Sequence, residues 1–201
     1  MIFLCEICCL KKEMERVRGQ VGFQNAFTVD YDIHRNQDGR VSRAGGLCLL
    51  WRDGVEVSLC SYSKNHIDVS VGGLGEDSWR FTGVYSFSKV EDRHLTWELI
   101  RRLGRHNIKP RLLGGDLNEI LRSSEKEGGP LRCHRQMAAF KDCINASGLI
   151  DLNFAGPIFT WKGKRSSRRI DQSSTRSFSS HARVEKFVPG VSSNSFEALY
   201  F

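Results

Sequence analysis

The chemically most informative stretch of this 201-residue chain covers residues 113–119. It places a carboxylate, Asp116, two residues before an amide, Asn118, and directly after an apolar segment and two glycines. If the segment is extended, residues two apart point to the same side, so one group could act on a metal ion or water while the other holds a phosphate oxygen. Gly114 and Gly115 would let a substrate approach the backbone. The same pattern is also typical of a simple turn.

Positive charge is concentrated near the C-terminal end of the sequence. The formal net charge is +7, and residues 162–201 carry +5 of it, from eight Lys or Arg against three Asp or Glu. Clustered cations suit a polyanion, because each phosphate that they neutralise releases counterions and adds salt-dependent affinity. The alternative is a solvated basic loop. The cations that lie closest together are Lys162, Lys164, Arg165, Arg168 and Arg169.

The composition argues against several classes of protein. With 40% hydrophobic and 26% charged residues, we expect one domain over residues 1–201, with an ordinary soluble composition and a sizeable core. The apolar run Leu47–Trp51 is far shorter than the roughly 20 residues of a membrane helix. Residues 1–5 are apolar, but no basic residue precedes them and Glu6 follows at once, which favours a buried strand over a secretion signal. We expect an intracellular protein, nuclear or cytoplasmic, and nothing in the sequence indicates an oligomer.

Seven cysteines, an odd number, are spread along the chain. Cys5 and Cys8 have the spacing of a metal-binding pair, but no second pair with similar spacing follows, so no zinc site is predicted. We expect reduced and mostly buried thiols.

Short strands outnumber helices in the sequence pattern. Alternation of apolar and polar residues predicts half-buried antiparallel strands at 55–59 and at 67–71, where Asp68 is one of the polar positions. Further strands are predicted at 2–6, 46–51, 80–85, 111–116 and 159–162.

Three helices are predicted between these strands, and the polar stretch 32–44 is predicted to be a surface loop. The first helix covers residues 11–18 and is mostly polar. The apolar faces of the other two consist of Leu95, Leu99 and Leu103, and of Met137, Phe140 and Ile144. Two packed sheets with helices on the outside are the architecture that this order favours.

Six short motifs, in one order along the chain, carry a family resemblance. They lie at residues 3–6, 45–47, 82–85, 114–118, 159–161 and 169–171. In this order they resemble the endonuclease/exonuclease/phosphatase family, most closely the endonuclease domain of plant non-LTR (LINE-type) retrotransposons. The resemblance implies a four-layer α/β sandwich of two mostly antiparallel sheets flanked by helices, which cleaves phosphate esters with Mg²⁺, or with Mn²⁺ in its place.

The resemblance also implies roles for particular side chains. Glu6 matches the family's metal-binding glutamate, and a carboxylate oxygen is a ligand that Mg²⁺ prefers. Asp116 matches the aspartate that orients or deprotonates the attacking water, and Asn118 matches the amide that holds the scissile phosphate. Tyr85 matches a tyrosine that contacts this phosphate, and Asp171 matches an aspartate near the site. Such groups position the reactants and stabilise charge, which is most of what phosphoryl transfer requires.

The chain departs from the family pattern at both ends. The family's first strand, which carries an asparagine near the metal, is not matched, because the sequence begins at Met1 within the second motif, so we expect a domain that is truncated at its N-terminus. Cys5 and Ile7 replace the glutamine and threonine that usually flank Glu6, so two polar side chains near the metal are lost.

The family's closing Ser-Asp-His motif has two candidate positions. Residues 179–181 keep a histidine, but they follow Asp171 too closely for the strand, helix and strand that normally intervene. Residues 193–195 have the usual spacing, and in that alignment Asn194 replaces the aspartate and Ser195 the histidine. We prefer the second alignment, which removes an acid-base group worth typically about 10²- to 10⁴-fold in rate. Turnover is therefore expected to be impaired.

Three functions remain open on the sequence. The first is a Mg²⁺-dependent DNA endonuclease of retrotransposon type, with the basic segment contacting phosphates. The second is a catalytically inactive relic that at most binds nucleic acid. The third is a phosphatase of the same family that acts on phosphorylated lipids or inositols. The closeness to the retrotransposon pattern favours DNA.

Overall fold

The computed structural model describes residues 1–35, 41–75, 77–105, 108–152, 159, 161–165, 168–172 and 175–180. The chain divides into two compact units, of which the first covers Met1–Tyr85 and the second begins at Ser86. The single domain expected from the sequence stays a prediction. Within the described ranges, no helix is both long and apolar enough to cross a membrane.

In the part of the first unit that the structure describes, there are two antiparallel three-stranded sheets, a two-stranded hairpin and one α-helix. In space, the strands of the first sheet follow the order β1–β5–β2, those of the second follow β6–β7–β8, and β3 pairs with β4. The elements are β1 (Ile2–Cys5), α1 (Lys11–Gln20), β2 (Asn25–Val29), β3 (Asp32–Arg35), β4 (Val41–Ala44), β5 (Leu47–Trp51), β6 (Val57–Ser63), β7 (His66–Val71) and β8 (Trp79–Tyr85).

Strand β1 alternates between the two layers that cover the first sheet. Phe3 packs edge-on against Phe81 of the second sheet, with 5.8 Å between ring centroids. A β-carbon on Gly83 would lie 2.4 Å from the Phe3 ring, so this close approach of the sheets requires a glycine. Leu4 points the other way, into a cluster with Met14 of α1. Helix α1 and the second sheet therefore enclose the first sheet.

In its described residues, the second unit combines two α-helices with two further antiparallel sheets. Its strands pair in the orders β11–β14–β9 and β10–β13–β12. Trp97 stacks on Phe140 at 4.7 Å, and Phe140 meets Phe178 edge-on at 6.0 Å, so both helices share an aromatic core with β14. The elements are α2 (Arg93–Gly104), β9 (Arg111–Asp116), β10 (Lys126–Glu127), α3 (His134–Ala146), β11 (Ile150–Asp151), β12 (Trp161–Arg165), β13 (Arg168–Gln172) and β14 (Thr175–Ser179).

The α/β class predicted from the sequence is confirmed, with mostly antiparallel sheets flanked by helices. Most predicted strands occur within one or two residues of their expected bounds, and β9 has the predicted bounds. The buried face of α3 includes the predicted Met137, Phe140 and Ile144. The stretch 32–44 differs, because its described ends pair as β3 and β4 where a loop was expected.

Two burial patterns also differ from the predicted ones. Helix α2 buries Arg93, Thr96, Trp97 and Ile100. Of the predicted leucines, Leu95 is 41% exposed and Leu99 and Leu103 are half-buried, so the leucines do not form the buried face. Strand β7 is buried on both faces instead of one, and its Asp68 has no exposed surface. Asp68 accepts hydrogen bonds from Arg80 Nε at 2.9 Å and from Thr82 Oγ1 at 2.7 Å. These partners compensate its charge and explain why a polar position of the alternation is inside.

Candidate active-site residues

Glu6 lies in a turn that starts where β1 ends. Its φ of +56° and the φ of +46° at Cys8 are left-handed, so the chain bends sharply here. The Cys8 N–H donates to the Gly45 carbonyl at 3.1 Å, which ties this turn to the residues just before β5. Gly46 has φ +86°, and a β-carbon there would lie 2.8 Å from Ile7 Cγ1. The glycine pair of the second motif therefore makes room for the turn that carries Glu6.

The structure brings Tyr85 to Glu6 within the first unit. The Tyr85 hydroxyl, at the end of β8, donates a hydrogen bond to Glu6 Oε1. Asn65 fixes the backbone of Tyr85 from both sides, since its carbonyl accepts the Tyr85 N–H at 2.9 Å and its amide donates to the Tyr85 carbonyl at 2.8 Å. The family resemblance assigned this tyrosine to a phosphate. Here its hydroxyl orients the carboxylate assigned to the metal.

The donor chemistry around Glu6 fits a magnesium ion bound mainly by water and substrate. The Glu6 side chain is exposed, so one hard carboxylate is accessible to an ion. In the part of the chain that the structure describes, no group of three or more His, Cys, Asp or Glu side chains could share a metal. Mg²⁺ is commonly held by one or two carboxylates while it keeps several waters, and it does not need an all-protein cage.

Asp116 and Asn118 form a second turn where β9 ends. The Asn118 N–H donates to Asp116 Oδ1 at 2.9 Å, and Asn118 has a left-handed φ of +51°. The sequence argument placed both residues on one side of an extended strand, and that argument is wrong because the strand ends at Asp116. A side-chain-to-backbone hydrogen bond brings the two residues together instead.

The side-chain amide of Asn118 is fixed by residues at the start of the second unit. Its Nδ2 donates to the Ser86 carbonyl at 3.0 Å, and the Ser86 N–H donates to the Asp116 carbonyl at 2.8 Å. The Ser86 hydroxyl in turn donates to Thr96 Oγ1 of α2 at 3.0 Å. Ser86 and Thr96 have no exposed surface. Asn118 is half-buried, so its amide is preoriented by a buried support.

Glu119, the next residue, was not predicted to have a role. It is fully buried, with Arg93 Nη1 3.0 Å from Oε2 and Arg132 Nε 3.0 Å from Oε1. Burial lowers the pKa of the Arg132 guanidinium, Glu119 raises it, and Arg93 lowers it further. The signal in the sequence was a glutamate between Leu117 and Ile120, two residues typical of a core.

His66 is a buried structural residue. Ser61 Oγ lies 3.0 Å from its Nε2 and Ser63 Oγ 2.8 Å from its Nδ1, so hydroxyl groups contact both ring nitrogens. The seven cysteines form no disulfide. Of these thiols, Cys48 and Cys143 are buried, whereas Cys60 and Cys133 are exposed, so the expected burial holds for only part of the set.

The remaining predicted residues lie in or beyond the C-terminal strands. Asp171 lies on β13, in register with Glu127 of β10 and with Lys162 of β12. The clustered cations lie on the hairpin that β12 and β13 form. The roles predicted for Asp171 and for these cations stay predictions. Asn194 and Ser195 lie outside the described residues.

Comparisons with known proteins support the fold alone. No family model and no curated protein matches the chain. Among solved structures, the chain is similar to the endonuclease domain of TRAS1, a telomere-specific non-LTR retrotransposon, with a TM-score of 0.60 and 13% identity over 92% of this chain and 88% of that one. A β-hairpin deletion mutant of beta toxin from Staphylococcus aureus has a TM-score of 0.52 and 15% identity over 89% and 73% of the two chains.

TDP2 from D. rerio, complexed with a single strand DNA product, is also similar, with a TM-score of 0.51 and 12% identity over 90% and 71% of the two chains. These likenesses confirm the predicted class of fold, an α/β sandwich of mostly antiparallel sheets flanked by helices.

Proposed function

We propose that the chain is a Mg²⁺-dependent DNA endonuclease of the type carried by plant non-LTR retrotransposons, with impaired turnover. The observation that carries the proposal is the Asp116–Asn118 turn. There the left-handed backbone of Asn118 and the buried Ser86 hold the Asn118 side-chain amide in one orientation beside the Asp116 carboxylate. The fold similarity to the TRAS1 endonuclease domain supports the class of reaction. The assignment to plant elements depends on the order of the sequence motifs.

In this proposal each turn has its own chemical task. Asp116 orients or deprotonates the attacking water, and the Asn118 amide donates a hydrogen bond to a phosphate oxygen, as transition states of phosphoryl transfer require. Glu6 would hold Mg²⁺, with its carboxylate oriented by the Tyr85 hydroxyl. When bound, the metal would neutralise negative charge on the phosphate. Asp171 completes the proposed set from β13.

Impairment is proposed because Asn194 and Ser195 stand where the family has aspartate and histidine. Without the imidazole, no residue at that position protonates or binds the phosphate, and such groups contribute typically about 10²- to 10⁴-fold. The alternative is an inactive relic that binds nucleic acid through the basic hairpin of β12 and β13. We further propose an intracellular site of action, nuclear or cytoplasmic, because the cysteine spacing in the sequence favours reduced thiols.

Nicking of supercoiled plasmid DNA tests the proposal directly. We expect slow nicking with Mg²⁺ or Mn²⁺, none with EDTA, and faster nicking after the double substitution Asn194→Asp/Ser195→His. Asp116→Ala should abolish nicking in both backgrounds, whereas Asp142→Ala, an exposed carboxylate on α3, should not. Activity that survives Asp116→Ala would contradict the assignment. Release of phosphate from a phosphorylated inositol, without nicking, would favour the phosphatase alternative.

DNA binding measured over a range of salt concentrations tests whether the basic hairpin contacts phosphates. Phosphate contacts by the basic hairpin predict that affinity falls steeply as salt rises. Salt-dependent binding without nicking, even in the restored double variant, would support the relic. A flat salt response would exclude phosphate contacts by the hairpin.

A further inference from the structure

Helix α2 supports the Asp116–Asn118 turn at two separate points. Arg93 and Thr96 lie three residues apart on the helix and are both buried, so they belong to one face. Thr96 accepts the Ser86 hydroxyl, and the Ser86 carbonyl accepts the Asn118 amide. Arg93 pairs with Glu119, the residue that follows Asn118. One helix face therefore restrains both the side chain and the backbone of Asn118.

The Glu119 carboxylate is bound on each of its oxygens. Arg93 donates to Oε2, while Oε1 accepts the Ile120 N–H at 3.0 Å and lies 3.0 Å from Arg132 Nε. The backbone on the C-terminal side of Asn118 is thus tied to the carboxylate, which is tied to α2. Any rotation of Asn118 out of its left-handed conformation would have to move Glu119 and break these contacts.

This buried ion pair is not the arrangement that stability alone would favour. Well-packed apolar residues in place of a buried ion pair are often neutral or stabilising. Arg93 Nε is buried and has no hydrogen-bond partner among the described residues, and two guanidinium groups share a single carboxylate. In some proteins, buried ionic groups are retained because they specify one conformation.

We propose that Glu119 and Arg93 are positioning residues that keep Asn118 in its left-handed conformation and so aim its amide at the phosphate. The chemical consequence depends on the endonuclease function proposed above, but the conformational role does not. Neither residue touches the substrate in this proposal. They act through Asn118, so substituting either residue should lower the rate at which the protein–DNA complex nicks DNA and leave DNA affinity unchanged.

Glu119→Gln is the most direct test, because glutamine keeps the volume and one acceptor oxygen but removes the charge. We expect kcat for nicking, measured per folded molecule in the Asn194→Asp/Ser195→His background, to fall about tenfold or more with KM unchanged, as for other groups that orient an active ligand. Amide hydrogen exchange should become about tenfold faster at Asn118 and Ile120, because the carboxylate no longer restrains this backbone. Arg93→Lys keeps a positive charge but lacks the planar guanidinium, and we expect it to produce the same effects. It takes the place of Glu119→Gln if that variant does not fold.

Asp68→Asn is the matched control. Asp68 is as buried as Glu119 and is also paired with an arginine, Arg80, but it lies on β7 of the first unit, and its hydrogen bonds come from Arg80 and Thr82. We expect Asp68→Asn to lower Tm while kcat per folded molecule and the exchange of Asn118 stay unchanged. If Glu119 has only a structural role, Glu119→Gln should resemble Asp68→Asn, with a lower Tm but unchanged kcat per folded molecule and unchanged exchange at Asn118.

Amide exchange at Asn118 tests the positioning role, and nicking tests the endonuclease function, so the two proposals can fail separately. Unchanged exchange at Asn118 in the folded Glu119→Gln or Arg93→Lys variant would overturn the positioning role, whether or not the chain nicks DNA. No nicking in the restored background, with faster exchange at Asn118, would overturn the endonuclease proposal and support the positioning role. Faster exchange with unchanged kcat would overturn the claim that the conformation of Asn118 limits the rate.

Discussion

The turn after β1 and the turn after β9 reach the same backbone geometry by different means. Each begins where a strand ends and holds a non-glycine residue in the left-handed region, Glu6 at φ +56° and Asn118 at φ +51°. The first turn is held by backbone hydrogen bonds to a glycine pair, and its carboxylate is exposed. The second is held by side chains, several of them buried.

This difference indicates what each turn is suited to do. An exposed carboxylate with one tyrosine partner can adjust to an ion that keeps its waters. An amide that is preoriented by buried groups can stabilise a charge in a fixed place without reorganising. Substitutions at the first turn should therefore change metal dependence, whereas substitutions at the second should change the rate at saturating metal.

Between Glu6 and Asn118, the larger expected effect is that of Glu6→Gln. Because the amide oxygen is a weaker ligand than a carboxylate, nicking should fall about 100-fold or more and the Mg²⁺ concentration for half-maximal rate should rise. Titration of Mg²⁺ in the plasmid assay measures both quantities, in the Asn194→Asp/Ser195→His background where the unaltered chain is too slow. Glu98→Gln, an exposed glutamate on α2, should change neither. An unaltered metal dependence would remove Glu6 from the metal site.

Asn118 separates backbone conformation from amide chemistry. Asn118→Gly keeps the left-handed backbone without strain but lacks the amide, so nicking at saturating Mg²⁺ should fall about 100-fold, the typical loss for one charge-stabilising donor. Asn118→Ala should lose as much activity and should also unfold about 1 kcal/mol more easily than Asn118→Gly, because alanine is strained at positive φ. Urea unfolding gives the second quantity. Full activity in Asn118→Gly would show that the amide has no chemical role.

Local patterns predicted the elements that depend on local physics. The bounds of β9 and the buried face of α3 were both predicted from the local sequence pattern. The predicted face of α2 was wrong because Arg93 and Thr96, both polar, are buried by contacts with Glu119 and Ser86, which are distant in sequence. Pairings of this kind leave no periodic signal in the chain.

The candidate site shows the same division. The order of motifs pointed to Glu6, Tyr85, Asp116 and Asn118, and the structure brings Tyr85 to Glu6 and Asn118 to Asp116. The residues that aim them could not be read from the motifs, because Asn65 and Glu119 act through partners 20 and 26 positions away. Their chemical roles stay predictions until the variants are measured.

Gly46→Ala tests whether the first turn depends on the room that glycine provides. The added β-carbon would meet Ile7 Cγ1 at 2.8 Å, so the residue after Glu6 would have to move. Gly54 is a close control, because its φ of +85° matches the +86° of Gly46 and an added β-carbon there meets nothing within 4 Å. Gly46→Ala should therefore cost about 1 to 3 kcal/mol more than Gly54→Ala in urea unfolding. Equal losses of unfolding free energy would mean that Ile7 can move without cost and that Gly46 is required only for its positive φ.

The smallest expected effect at neutral pH is that of ionising the Cys48 thiol, in the apolar core of the first unit. Cys48 on β5 packs with Leu4 and Met14, and burial raises the pKa of its thiol to about 11 from an ordinary value of 9.0. Because the folded-state pKa is raised, the stabilising contribution is complete below pH 9 and is lost as pH rises through about 11. At most about 3 kcal/mol should disappear across this window, and Cys48→Ala should flatten that part of the stability profile. An equal alkaline decline in both proteins would show that ionisation elsewhere, as at the buried Cys143 of the second unit, accounts for it.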